Sequence, residues 1–274
     1  MGMIHNAFAQ NLTRPCTNCY ITRMRANLIT ADGTTVNVDD GLWLHHMVMW
    51  DSAKRDMTCP NGLFNAVNMG QRFFSSGNER HEVRFDAPYG YRLGANDRWT
   101  MIYELMNMTA QARDVYVTVT FDYVPATTPG YRDVTPIWLD VNQCGTSEKP
   151  ARTGQYSYDS TFTMPGNGNL LRLWGHVHDG GTHLTVTQNG QLVCDSVATY
   201  GGSPEFVEGP ASVDMPGMPH ISYMTECDGT PARPVAALRA GDVLKLTAYY
   251  DSDAHMQMGT EPVMGIALGY LDAG

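Results

Sequence analysis

Short runs in which apolar and polar residues alternate dominate the chain, and these runs are rich in β-branched and aromatic residues. The run Tyr116–Val124 is typical, with valine, threonine and aromatic positions interleaved. Alternation over about four to eight residues is the pattern of a half-buried β-strand. Similar runs predict further strands at Trp43–Trp50, Thr100–Met106, Leu170–His178, Leu184–Thr187, Val243–Tyr250 and Met264–Leu271.

Turn-forming residues separate the runs. The pair Asn189-Gly190 lies between Leu184–Thr187 and Leu192–Cys194, which predicts a two-residue hairpin. No amphipathic stretch of more than about ten residues indicates a helix. Many short strands with regular turns predict an all-β protein with two antiparallel β-sandwich, jelly-roll-like domains in tandem. A turn-rich segment at 124–136 suggests the division, with domains at 1–128 and 129–274.

Composition narrows the classes of function. The 274 residues include 18 basic and 28 acidic side chains, for a net charge of −10. Such a chain lacks the basic surface that neutralises phosphates, so no nucleic-acid partner is expected. No apolar run approaches the roughly 18–20 residues of a membrane span.

The six cysteines bear on the compartment. An even number of cysteines suits an exported chain with up to three disulfide bridges. Six cysteines can form three bridges in about 15 different pairings. Reduced thiols in a cytosolic protein are the alternative. The low charge favours a secreted or other extracytoplasmic protein, although Met1–Cys16 has no signal-peptide pattern.

The first candidate metal cluster is His45-His46-Met47, inside an apolar strand. Neighbouring residues on a regular strand face opposite sides, so both imidazoles reach one ion only at a strand end or a bulge. The alternative is one buried, hydrogen-bonded histidine and one exposed histidine.

The second cluster is His176-Val177-His178, followed by Asp179. Histidines two apart on a strand share a face at a spacing of about 6.5–7 Å, which suits two nitrogen ligands of one metal. Asp179 would then orient a ligand imidazole. A solvated polar hairpin is the alternative, but the apolar run before His176 indicates a buried strand, where unpaired imidazoles are costly.

The third cluster, His255–Gly259 with Val263–Gly265, contributes methionines, of which the chain has 17. Histidine with methionine selects copper, Cu(I) especially. For any single methionine the alternative is a flexible core filler. Cys16 and Cys19 have the spacing of half a zinc site, but no second pair completes it, so a disulfide is the better interpretation.

Taken in order, these clusters resemble the copper type II, ascorbate-dependent monooxygenases, such as peptidylglycine α-hydroxylating monooxygenase and dopamine β-monooxygenase. The chain is most similar to a divergent branch of that superfamily, which includes the stress-up-regulated Nod19-like proteins. The resemblance runs from Tyr20–Met24 to Met264–Tyr270. It implies two β-sandwich domains that each hold one copper.

The resemblance also implies roles for individual residues. His45 and His46 match the imidazole pair of the first, electron-supplying copper. His176 and His178 match the His-x-His of the second copper, where oxygen binds and hydrogen is abstracted. The methionine ligand of that catalytic copper falls on Met264, with Met256 and Met258 as alternatives.

Three departures from the family pattern stand out. Asn107 occupies the position of the third first-site histidine, and Met108 or His81 would have to substitute for it. Gly265 and Ala248 occupy the positions of a cysteine pair beside the methionine ligand, so that bridge is lost as a unit. The arginine that binds the peptide carboxylate is not identifiable, so a peptidylglycine substrate is not supported.

The function that follows is copper-dependent O2 activation and C–H hydroxylation of an unknown small-molecule or peptide-like substrate, with one or two copper ions and ascorbate or a similar reductant. The catalytic residues would be His176, His178 and Met264. The alternative is a secreted copper-binding, copper-storage or structural sandwich protein without turnover. A carbohydrate-binding sandwich, with Tyr89–Tyr91 and Tyr156–Tyr158 as exposed aromatics, is a third interpretation.

Overall fold

A computed structural model describes residues 2–60, 70–213, 215–230, 232–257 and 261–274. Within these ranges nearly all regular structure is β-strand, and the helical segments are two 3-10 turns at Val38–Asp40 and Pro204–Phe206. No helix in the described part of the chain is long and apolar enough to cross a membrane. The strands are β1 (Gly2–Gln10), β2 (Cys19–Ile29), β3 (Leu42–Asp51), β4 (Gln71–Gly77), β5 (Glu82–Arg84), β6 (Tyr89–Leu93), β7 (Trp99–Asn107), β8 (Tyr116–Pro125), β9 (Arg132–Asp133), β10 (Thr135–Asp140), β11 (Glu148–Lys149), β12 (Gln155–Thr163), β13 (Gly168–Val177), β14 (Gly181–Gln188), β15 (Gln191–Tyr200), β16 (Ile221–Met224), β17 (Glu226–Asp228), β18 (Ala236–Leu238), β19 (Val243–Asp251) and β20 (Val263–Asp272).

The all-β prediction is confirmed, and each predicted run coincides with a strand to within a few residues at either end. Strand β19 shows why: every second residue from Leu244 to Tyr250 is buried, and the residues between them are more exposed. The predicted hairpin is also present. Asn189 and Gly190 both have positive φ, at 49° and 84°, which a two-residue type I′ turn requires.

The described chain divides into two compact units whose segments interleave. The first contains Met1–Trp50, Phe73–Tyr131 and Thr199–Tyr223; the second contains Asp51–Arg72, Arg132–Ala198 and Met224–Gly274. One change of unit, at Tyr131/Arg132, lies close to the predicted division, but the segments Asp51–Arg72 and Thr199–Tyr223 each belong with the opposite part of the chain. The predicted domains, 1–128 and 129–274, stay a prediction.

The first unit is a sandwich of two antiparallel sheets. One has the strand order β1-β7-β3-β4, and the other contains β5-β2-β6 with β8 along β2. Aromatic rings join them: Phe73 stacks on Tyr91 with centroids 4.8 Å apart, and Trp99 lies 5.3 Å from Phe121. Since Tyr89 and Tyr91 are buried, they form core and not the exposed aromatic surface of a carbohydrate site.

The second unit is also a sandwich, with sheets β10-β20-β13-β17 and β12-β19-β14-β15. Glycines let the two sheets approach closely. A Cβ on Gly175 would lie 3.2 Å from the Leu184 Cβ, and one on Gly265 would lie 2.5 Å from the Ala248 Cβ. Both glycines therefore face the partner sheet, and alternate residues of β13 and β20 face away from it.

Gly265→Ala tests this close approach. The added methyl would lie within 2.7 Å of Val141 as well as against Ala248, so we expect a loss of about 1–3 kcal/mol in unfolding free energy from overpacking. Denaturant unfolding measures it. Gly166→Ala is the matched control, because its Cβ would meet only Met57, at 3.6 Å. Equal stability of the two variants would contradict the placement of Gly265.

All six cysteines are paired, as Cys16–Cys19, Cys59–Cys144 and Cys194–Cys227. The first pair confirms the disulfide interpretation of the Cys16-Cys19 spacing. The second joins the segment Asp51–Arg72 to the strand sandwich of its own unit, where the Thr58 hydroxyl donates to the Trp138 carbonyl oxygen at 2.6 Å. The third links β15 to β17.

Candidate metal centre

The antiparallel pairing of β13 and β20 places the His-x-His motif beside Met264. The register pairs His176 with Ile266 and Val177 with Gly265. Continued by one residue, it sets His178 opposite Met264. Residues directly opposite in an antiparallel pair project from the same face. His176, His178 and Met264 therefore share the face that points away from the partner sheet.

The two imidazoles of this face lie close together and differ in orientation. Their ring centroids are 5.7 Å apart and their planes are nearly perpendicular, at 89°. Both rings are half-buried, and Met264 is buried, with 6% of its surface exposed. Two half-buried imidazoles and a buried methionine therefore lie on one face of the second unit.

A backbone contact sets the tautomer of His178. Its Nδ1 lies 2.8 Å from the carbonyl oxygen of Pro262. A carbonyl oxygen only accepts, so the ring donates from Nδ1 and keeps a lone pair on Nε2 when it is neutral. A ligand histidine commonly donates its second nitrogen to a carbonyl in this way. The donor set, two imidazole nitrogens and one soft sulfur, fits copper.

The positions of the missing cysteine pair agree with this register. Gly265 and Ala248 lie face to face between the sheets, which is the arrangement that a bridge at these positions would need. The Tyr250 hydroxyl also donates to the carbonyl oxygen of Met264. A residue of the partner sheet therefore holds the backbone of Met264 in place.

The other histidine pair lies in the first unit, on β3. The His45 and His46 ring centroids are 5.1 Å apart, and only 15% and 10% of their side-chain surfaces are exposed. The interpretation with one buried and one exposed histidine is therefore wrong. Beside them on β7 is Glu104, whose Oε2 lies 3.3 Å from His45 Nδ1 and 3.8 Å from His46 Nε2.

Glu104 is the residue of this cluster that sequence reasoning missed. Burial raises the pKa of its carboxyl, but the hydrogen bond from His45 and the charges of His46 and His45 outweigh burial, so the pKa lies below its ordinary value. Glu104 is therefore ionised at neutral pH. The signal in the sequence was a single acidic residue inside the apolar strand Trp99–Asn107.

Asn107 has a different environment from the histidine it replaces. Its Oδ1 accepts from the Thr109 amide at 2.9 Å and from the Thr109 hydroxyl at 2.7 Å, and its Nδ2 donates to the Gln111 carbonyl oxygen at 2.7 Å. The side chain thus closes a turn at the end of β7. It lies three positions after Glu104, so on a regular strand the two project from opposite faces.

The substitute and alternative ligands fall in several places. Met108 and His81 are buried, with 1% and 7% of their surfaces exposed, whereas Met256 is 60% exposed. Met258 lies outside the described residues. Their roles as ligands stay predictions.

Comparisons with known proteins bear on this chain directly. A family model described as "Stress up-regulated Nod 19" matches residues 114–271. "Probable copper-dependent oxygenase M1" of Phoma sp. is 36% identical over 269 residues, covering 95% of this chain and 65% of that protein. "Probable copper-dependent oxygenase clz3" of Cochliobolus lunatus is 34% identical over 261 residues, covering 92% of this chain and 79% of that protein.

Solved structures are much more distant. A lectin from Pleurotus ostreatus in complex with GalNAc is 8% identical, with a TM-score of 0.22 over 97% of this chain and 73% of the lectin. That likeness is too weak to carry an argument. The matches in sequence are sufficient, and they confirm the resemblance to the Nod19-like branch: the chain belongs to the stress up-regulated Nod 19 family.

Proposed function

We propose that this protein is a copper-dependent monooxygenase that hydroxylates a C–H bond of an organic substrate. The observation that carries the proposal is the shared face of His176, His178 and Met264 in one β-sandwich unit. The names of the two relatives, each a probable copper-dependent oxygenase, support it. Since the chain spans 65% of the length of the Phoma protein, the activity is proposed for this chain on its own residues.

The chemistry of the donor set explains the choice of metal. Two neutral imidazoles and a thioether favour Cu(I) over harder ions. Copper held by His176, His178 and Met264 would supply the activation of O2. Residues of the chain orient the proposed ligands. The Pro262 carbonyl oxygen fixes the ring of His178 through Nδ1, and the Tyr250 hydroxyl holds the backbone at Met264.

The overall reaction sets what else is required. One oxygen atom enters the C–H bond, the other leaves as water, and two electrons and two protons are consumed. Ascorbate or a similar reductant would supply the electrons, and His45 and His46 would hold the second ion of a two-copper protein. The substrate is a small molecule or a peptide-like compound.

The disulfides suggest where the protein acts. Three bridges that use all six cysteines form and persist in oxidising compartments. We therefore place the protein outside the cytosol.

A second candidate function has one specific observation in its favour. Asn107 stands where the family has the third imidazole of the first site, and its amide is engaged with Thr109 and Gln111. A copper-binding or copper-storage protein without turnover needs only the second site.

Copper content and oxygen use separate the two candidates. The purified protein, loaded with copper and freed of excess metal, is analysed for bound ions and then given ascorbate and isotopically heavy O2 with a small-molecule extract. We expect one or two tightly bound ions per chain and label incorporated into an organic product. Bound copper with no labelled product would favour storage, and absence of tight copper binding would contradict both candidates.

A further inference from the structure

We infer that Glu104 is the positioning residue of the His45–His46 site: its carboxylate accepts the Nδ1–H of His45, directs Nε2 of that ring to the metal and biases the site toward Cu(II). The inference rests on the proposed function, because it assumes that these two histidines bind copper. From the strand pattern alone, Glu104 is expected to be buried and nothing more; the structure gives it a role.

An irregularity in the neighbouring strand is built around this carboxylate. In the pairing of β1 with β7, Ile4 opposes Leu105 and Ala7 opposes Tyr103, so two residues of β1 lie opposite Glu104. One of them, Asn6, has φ of 44°. Bulges of this kind redirect groups and are frequent beside functional sites.

The redirected group is a backbone amide. The Asn6 N–H donates to Glu104 Oε1 at 3.1 Å, so one oxygen of the carboxylate is fixed from β1. The other oxygen, Oε2, then faces the histidines of β3, at 3.3 Å from His45 Nδ1. The carboxylate therefore has a set orientation before any ion binds.

The chemistry of the contact assigns the nitrogen that binds. An ionised carboxylate only accepts hydrogen bonds, so His45 donates from Nδ1. A neutral imidazole that donates from Nδ1 has its lone pair on Nε2. The combination of carboxylate, histidine and metal in series also raises the basicity of the ligand.

Charge gives the second consequence. In the described part of the chain, the titratable side chains within 4 Å of the carboxylate include His45 at 3.3 Å, His46 at 3.8 Å and the more exposed His5 at 3.9 Å. A fixed negative charge at this depth stabilises a doubly charged ion more than a singly charged one. Glu104 is thus expected to favour Cu(II) over Cu(I) at this site, whereas the His176–His178–Met264 donor set is itself neutral.

The experiment measures both copper states at the first site alone. His176→Ala disables the other site, and Glu104→Gln is then added, which keeps the size of the side chain and removes its charge. We expect Cu(II) affinity, measured by chelator competition, to fall about 10–100-fold and Cu(I) affinity to fall clearly less. Glu82→Gln is the matched control, because Glu82 lies in the same unit and pairs with Arg23 at 2.6 Å; it should change neither affinity.

Each result decides the inference. Equal losses for the two copper states, or no loss, would overturn it, because a purely structural carboxylate does not change their ratio. If the His176→Ala protein binds no copper while the unaltered protein binds one ion, the inference fails and the proposed function stands. If the unaltered protein binds none, both fail. Should Glu104→Gln not fold, Glu104→Asp takes its place: retaining the charge, it should keep the preference for Cu(II), and loss of that preference would refute the inference.

Discussion

Replacing His178 with alanine is expected to lower the copper content of the protein by one ion per chain and to abolish hydroxylation. His176 and His178 are the two histidines of the proposed site and share a face with Met264, so the loss of one would leave one imidazole and one thioether. We expect the affinity of that site to fall by more than about 100-fold, beyond the loss typical of an outer partner. His176→Ala should behave in the same way.

Met264→Leu should have a smaller and more selective effect. A thioether is a weak ligand that favours Cu(I), so we expect about a tenfold loss of Cu(I) affinity with little change for Cu(II). Chelator competition and metal analysis measure all three variants. His183→Ala is the control, because this histidine lies in the same unit but stacks on Tyr249 at 4.3 Å. Near-native copper affinity in both the His176 and His178 variants would refute the site.

Removing the bridge Cys59–Cys144 by double alanine substitution is expected to be the most destabilising of the three disulfide deletions. The bridged residues are 85 positions apart, and closing a loop of that length in the unfolded chain corresponds to about 4–5 kcal/mol of unfolding free energy. The same reasoning gives about 3–4 kcal/mol for Cys194–Cys227, with a separation of 33. Cys16–Cys19, with a separation of 3, should contribute least.

Chemical denaturation followed by tryptophan fluorescence tests this order. The Cys59–Cys144 variant also loses the covalent link that holds Asp51–Arg72 in the second unit. That segment keeps noncovalent contacts with the rest of its unit, including the hydrogen bond from the Thr58 hydroxyl to the Trp138 carbonyl oxygen at 2.6 Å, which should let the variant fold at low temperature. A reversed order, or a loss below about 1 kcal/mol for this bridge, would contradict the expectation.

The strands and one of the two metal clusters could be predicted with little ambiguity because their signals are local. A period of two in hydrophobicity already distinguishes strand from helix, and Asn189-Gly190 specifies its turn through two positive φ angles. The His176-Val177-His178 spacing likewise requires no knowledge of the fold, since residues two apart on a strand share a face. The placement of Met264 needed the family resemblance, and the register of β13 with β20 agrees with it.

The surroundings of His45 and His46 could not be predicted from neighbouring residues in the sequence. His45 and His46 were identifiable as a pair, but their partner Glu104 comes from another strand, and the amide that orients it comes from the bulge in β1. Asn107, the position expected for a third ligand, is three positions from Glu104, so the two side chains project from opposite faces of the strand. The sequence does not reveal which of these two faces the histidines. The tertiary structure shows that it is Glu104.

The sequence by itself determined the all-β class, the strand positions, the hairpin and the residue types that favour copper, because each depends on neighbours within a few positions. The tertiary structure decided which cysteines pair, which segments join each unit and which carboxylate meets His45. Those outcomes depend on contacts between residues tens of positions apart, such as 85 for Cys59 and Cys144. Many such arrangements satisfy the same local pattern, and only the packing of the sheets selects among them.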